Sequence, residues 1–236
     1  PQNTVSSNAR SLCAVGWVSI DKNATEILSI FNSRVSKGFN DCSDAGKGLY
    51  GITQEKAGKD MTRVLFLIHD LGQGGAEKVL VNLVNNMDRT KFDISVTVLF
   101  GGGVNEQFLK SDIHFRVIFS KEVPGNSKLM KLLSPKQLHR LCVSEKYDIE
   151  ISYLEGPSAR VISGCPNQDT KLVTWMHSTM CNLKDVTDAF RSLEETIHCY
   201  QQYDKIIAVS QGIRAAFCNL IGFSEKCDVK IGRAHV

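Results

Sequence analysis

Two hydrophobic rhythms alternate along the chain from Val64 onward: short unbroken apolar runs, and stripes that recur at three- and four-residue steps. Val64 to Ile68, VLFLI, is an uninterrupted run of strand length, as expected of a strand covered on both faces in a parallel sheet. After Gly75, the positions Ala76, Val79, Leu80, Leu83, Val84 and Met87 keep helical spacing, which predicts an amphipathic helix packed back onto that strand. Asp93 to Phe100 (DISVTVLF) predicts a second strand, Ile149 to Leu154 a fourth, Lys171 to Trp175 a fifth and Lys205 to Val209 a sixth. Ile113 to Phe119 alternates, with Ile113, Phe115, Val117 and Phe119 on one side and His114 and Arg116 on the other, so the third strand is predicted to be half-exposed. Strands separated by helical stretches predict an α/β fold with a doubly wound parallel sheet ordered 3-2-1-4-5-6, which puts the alternating third strand at an edge.

Other stretches fill in the helices. Leu183, Val186, Phe190, Leu193, Ile197 and Tyr200 keep helical spacing across one long packing helix, and Ser210 is placed to cap the helix that carries Ile213, Ala216, Phe217 and Leu220. Between Ser127 and Lys146, Leu129, Leu132, Leu133, Leu138, Leu141 and Cys142 are interleaved with Lys128, Lys131, Lys136, His139, Arg140 and Lys146. This predicts one or two amphipathic helices broken near Pro135, with one apolar and one basic face. Such a basic face is either solvated or a membrane contact; in the second case Lys128, Lys131, Lys136 and Arg140 would each gain about 1 kcal/mol from anionic headgroups.

Composition narrows the setting. With 236 residues and 42% hydrophobic positions the chain can bury a sizeable core, and a formal charge of +3 with no concentrated basic face argues against nucleic acid as a partner. Eight cysteines are scattered without a C-x-x-C pair or a histidine spacing suited to zinc, so they read as reduced, mostly buried small hydrophobes, and no metal is expected. No stretch reaches the roughly 18 consecutive apolar residues of a membrane span, and no basic-then-apolar leader opens the chain. A cytoplasmic protein is expected, with peripheral contact at the inner face of the cell membrane if the basic face is used that way.

The candidate chemistry lies at the ends of strands. Gly72, Gly74 and Gly75 separate the first strand from its helix, where glycines let backbone N–H groups and the helix dipole approach an anion such as a phosphate. A dinucleotide fingerprint would require a further glycine where Glu77 stands and an acidic residue after the second strand, where Phe100 is followed by Gly101, Gly102 and Gly103; NAD binding is disfavoured. His177 follows the fifth strand, a position that opens onto the ligand cleft of such sheets, although a lone histidine is more often structural. His69, Glu155 and Ser210 also follow strands and are further cleft candidates.

Gly74, Gly75, Ala76, Glu77 and Lys78, set between a strand and a helix, resemble the first loop of family 4 glycosyltransferases of the GT-B fold. The later landmarks fall in the same order, with the histidine after the fifth strand and the Ala-Val-Ser run ending at Ser210. The resemblance spans Met61 to about Lys230 and implies the Rossmann-like, acceptor-side N-terminal domain of such an enzyme. It implies transfer of a sugar from a nucleotide sugar to a glycan or lipid-linked acceptor with retention of configuration, in cell-surface polysaccharide or glycolipid synthesis. No cofactor or metal is implied. His177 would face the donor sugar, and Gly74 and Gly75 would stabilise the departing diphosphate. Two other readings stay open, a Rossmann-type nucleotide-binding oxidoreductase and a non-catalytic binding module.

The two ends do not join the pattern. SLCAVGWVSI suggests a strand and ATEILSIFNSRV a short helix, but Gly38 to Asp60 is polar and without periodicity, so residues 1–60 are expected to be a leader, translated from upstream sequence, and 61–230 the domain. The last six residues, IGRAHV, are what one reading frame of a common sequencing adapter encodes, so residues 231–236 are expected to be foreign. On that reading the donor-binding domain is missing and this chain alone turns nothing over.

Overall fold

The computed structural model describes residues 61–121 and 130–230. The expectations for residues 1–60, Lys128 and residues 231–236 lie outside the described residues.

Seven parallel strands form one sheet in the order β3-β2-β1-β4-β5-β6-β7. They are β1 (Thr62–Ile68), β2 (Phe92–Phe100), β3 (His114–Phe119), β4 (Ile149–Ser152), β5 (Lys171–Met176), β6 (Lys205–Ala208) and β7 (Cys227–Val229). The helices are α1 (Gly75–Asn86), α2 (Pro135–Cys142), α3 (Pro157–Ile162), α4 (Leu183–Thr187), α5 (Leu193–Gln201) and α6 (Gln211–Ile221), with a short 3-10 turn at Glu106–Phe108. The α/β doubly wound, Rossmann-like architecture and the strand order are those expected, and β7 extends the sheet beyond β6.

The unbroken run VLFLI is explained by burial on both faces. Val64, Phe66 and Ile68 enter one core layer together with Leu80 and Val84 of α1, whereas Leu65 and Leu67 enter a second layer with Leu138, Tyr200 and Phe217 from α2, α5 and α6. Strand residues alternate between faces, so a strand with helices on both sides has no polar positions to spare. At the sheet edge β3 pairs only with β2, and Phe115 and Val117 remain 36% and 37% exposed.

Five expectations are corrected by packing. Val79 is 56% exposed and Val81 takes its place in the core, because the buried stripe of α1 runs through Leu80, Val81, Leu83 and Val84. The single helix over 183–200 is two: Ser192 accepts a hydrogen bond from the Glu195 N–H and starts α5 afresh, and Asn182 caps α4 in the same way. His139 does not join the basic face of α2 but is buried, with Nε2 2.7 Å from Glu150 Oε2. Burial works against its charged form, but the Cys165 and Glu150 side chains outweigh this and hold its pKa up at about 9. Conversely, Leu132 and Leu141, assigned to the apolar face, are exposed. Among the described cysteines all six are free and Cys181 is exposed, in contrast to the expected burial.

A buried arginine ties the helical layer together. Arg160 is 1% exposed; it donates to the carbonyls of Met130 and Leu133 and to both oxygens of Glu195. Arg191 donates to the two intervening carbonyls, Lys131 and Leu132, while its own N–H donates to Glu195. Two guanidiniums thus serve four successive carbonyls of the segment that leads into α2, of which that of Met130 also accepts from the Leu133 N–H.

Candidate functional site

The loops after β1, β4, β5 and β6 leave the same carboxyl edge of four adjacent strands. Ligands bind sheets of this kind at that edge. The β1–α1 loop is built by its neighbours. The Asp70 carboxylate accepts from the Gly72 N–H at 2.6 Å, the Asn105 side-chain amide donates to the Gly72 carbonyl, and the Asn105 N–H donates to the Leu71 carbonyl at 2.9 Å. Gly103, after β2, lies so close that a Cβ on it would fall 2.3 Å from the Leu71 backbone. Asp70, Asn105 and Gly103 therefore hold the loop; only the glycine run after β2 hinted at this in the sequence.

Positive φ does not account for the glycines of the first loop, since among the described glycines only Gly102, Gly156 and Gly222 have one. Contacts do. A Cβ on Gly74 would fall 2.1 Å from Glu77 Oε2, whereas a Cβ on Gly75 would meet nothing within 4 Å. Gly74 and Gly75 are exposed, and α1 starts at Gly74 without a side-chain cap, so its first N–H groups have no side-chain acceptor. Glu77 folds back over Gly74 with Oε2 buried and without a hydrogen-bond partner. Burial, and after it the Glu77 charge, push the Tyr153 phenol well above its ordinary pKa.

Tyr153 in turn packs on His177, their ring centroids 5.0 Å apart. The Glu155 carboxylate accepts from the backbone N–H groups of His177 (2.8 Å) and Ser178 (2.9 Å), which fixes the turn that follows β5. The His177 ring lies against Tyr153, and its Nε2 is buried with no hydrogen-bond partner. Burial lowers the pKa of His177, against smaller opposing effects of Glu155 and Tyr153, and keeps the imidazole neutral at pH 7.

The remaining candidates divide. Glu77, Glu155 and His177 are linked through Tyr153 and the β5 turn, on the side of β1 that faces β4. His69 packs instead on Phe100 of β2, centroids 4.9 Å apart, and lies 3.9 Å from Asp70. The Ser210 hydroxyl accepts from the Ile213 N–H at 3.2 Å and caps α6, the structural role expected for it. Lys131, Lys136 and Arg140 belong to the α2 region, away from the glycine loop in sequence and set on the other core layer. Glu155 also borders a pocket of about 160 Å³ between Met130, Leu138, Pro157, Asp185 and Asp188. Ligand pockets usually measure about 300–1,000 Å³, so this one is too small for a whole nucleotide sugar.

Two solved structures of Anabaena HepE, one in complex with UDP and one with UDP and glucose, are each 18% identical to this chain, with TM-scores of 0.45 and 0.44. They cover 72% and 71% of this chain, and the chain spans 44% of theirs. No curated protein matches it in sequence. The sequence signature of Glycosyltransferase Family 4 matches residues 73–229, from the glycine loop through β7, and the chain belongs to that family.

Proposed function

We propose that the chain is the acceptor-side domain of a retaining glycosyltransferase, which moves a sugar from a nucleotide sugar to a glycan or lipid-linked acceptor in cell-surface polysaccharide or glycolipid synthesis. The observation that carries this reading is the partnerless, buried Nε2 of His177, placed at the same sheet edge as the uncapped start of α1. Nε2 of the neutral imidazole hydrogen-bonds a sugar hydroxyl, which can donate or accept, and so orients the donor ring. The N–H groups at Gly74 and Gly75, reinforced by the helix dipole, stabilise negative charge as the diphosphate departs. Glu155 keeps His177 in place without touching the sugar. Neither step calls for a metal or cofactor. The main contacts to the nucleotide are assigned to a second domain of the whole enzyme.

The test is to express the whole gene and incubate its product with a panel of nucleotide sugars and a membrane extract as acceptor source. Nucleoside diphosphate release coupled to a product of retained anomeric configuration is expected. An inverted product, or no transfer from any donor, overturns the proposal.

A specific observation also favours membrane contact at the inner face of the cell membrane. Leu132 and Leu141, 73% and 46% exposed, stand beside exposed Lys136 and Arg140. Apolar side chains among cations suit a headgroup boundary better than bulk water. Among the described residues no helix is long and apolar enough to cross a membrane.

A further inference from the structure

His139, Glu150 and Cys165 come from three separate elements, α2, β4 and the loop after α3, and their ligand atoms all lie within 4.8 Å of one another. Nε2 of His139 is 2.7 Å from Glu150 Oε2, and Sγ of Cys165 is 3.5 Å from Glu150 Oε1. His139 and Glu150 are buried, while Cys165 is only half-buried and gives a way in from solvent. The cluster faces the helical core layer and has no part in the proposed sugar transfer.

We propose that this cluster is a zinc site that cross-links α2 to the sheet. Imidazole and thiolate together favour zinc over magnesium or calcium, which prefer all-oxygen shells. Zinc bonds of about 2.0–2.3 Å place tetrahedral ligands roughly 3.3–3.8 Å apart. Sulfur and Glu150 already have that spacing, and the His139–Glu150 pair opens by less than the width of an atom. A thiolate and a carboxylate balance the dication, which a buried site requires. The thiol proton and the second imidazole proton leave to solvent on binding. The Asn167 carbonyl oxygen, 3.9 Å from Sγ, or a water completes the fourth position. The signal was hidden in the sequence because the three ligands are separated by irregular intervals and meet only through the packing of Gly164, whose Cβ would fall 2.1 Å from the Pro135 carbonyl oxygen.

The test uses the 236-residue chain, purified reduced, stripped with chelator and titrated with zinc alone, then with cobalt(II) as a coloured substitute. One zinc per chain is expected, with a higher thermal midpoint that chelator reverses. Cobalt should give a thiolate charge-transfer band. Cys165→Ser should lose the band and the midpoint shift, while Cys181→Ser, at an exposed thiol elsewhere, keeps both. Cys165→Ser replaces a half-buried sulfur with an isostere, so its fold can be verified by circular dichroism before titration. A wild-type chain that takes up no zinc, or zinc uptake and a cobalt band that persist in Cys165→Ser, overturns the site and leaves a hydrogen-bonded triad.

Discussion

Replacing Glu195 by Ala strips the fully buried Arg160 guanidinium of its counter-charge and of two hydrogen bonds, at 3.1 and 3.0 Å. What remains to it are the carbonyls of Met130 and Leu133. Breaking a buried ion pair by removing one partner costs about 3–5 kcal/mol. Glu195 is itself 15% exposed, so water can enter the gap and the lower end applies, about 3 kcal/mol. Since whole domains are stable by about 5–15 kcal/mol, such a loss is easily measured, and with a urea slope of about 2 kcal/mol/M it moves the midpoint by roughly 1.5 M. Glu195→Gln keeps one acceptor oxygen and should cost about half as much. Burial disfavours the charged carboxylate of Glu195, but Arg160, the Arg191 N–H and the arginine charges outweigh it and set its pKa below the ordinary 4.5. A depressed carboxylate pKa gives stability that is complete above pH 4.5 and is lost as pH falls through the folded value, so Glu195→Gln should flatten that part of the acid limb. Urea unfolding followed by circular dichroism at pH 7 and along the acid limb measures both effects. A loss below about 1 kcal/mol in Glu195→Ala would refute the assignment of Arg160 as a buried cation dependent on Glu195.

Three further outcomes follow from the same geometry. Gly103→Ala should destabilise by about 1–3 kcal/mol, since its Cβ meets the Leu71 backbone, whereas Gly74→Ala meets only the end of the Glu77 side chain and should cost less than about 1 kcal/mol; parallel denaturation curves decide. His177 has a pKa lowered by burial, so its protonation is resisted in the folded state; as pH falls below 6.5 the unfolded chain takes up that proton first, and the difference in stability between wild type and His177→Gln should shrink in acid. Lys131, Lys136 and Arg140 changed together to Glu should abolish binding to anionic vesicles at low salt without altering the circular dichroism spectrum; unchanged binding would leave a solvated face.

The sheet was legible because each strand of a two-sided layer must be apolar throughout, and VLFLI, DISVTVLF and KIIAV admit few other readings. Edge position was legible in β3 for the converse reason. The break between α4 and α5 was legible in principle, for Ser192 and Glu195 have capping spacing, but the apolar periodicity of Phe190, Leu193 and Ile197 runs across it. β7 escaped notice because its three residues, CDV, carry almost no pattern. At the site, the order of glycine loop and His177 was readable, whereas Tyr153 and Asn105 were not: each acts on a partner that is distant in sequence and is brought near only by the sheet order, while Asp70 acts locally, on the Gly72 N–H. Buried His139 was misplaced for the same reason, since helical spacing cannot show that Glu150 waits on the neighbouring strand.

The central claim is that His177 and the glycine loop serve opposite ends of one donor at one sheet edge. The most direct measurement compares sugar transfer and donor affinity in His177→Ala and Gly75→Val, each made in the product of the whole gene and shown to be folded. Gly75→Val places a β-branched side chain where nothing stands within 4 Å and should slow transfer by about 100-fold, the loss expected for one oxyanion donor. His177→Ala should slow transfer by about tenfold or more while donor affinity is unchanged, as loss of one hydrogen bond to the sugar requires. Wild-type turnover in His177→Ala would contradict the account and return that histidine to a purely structural role.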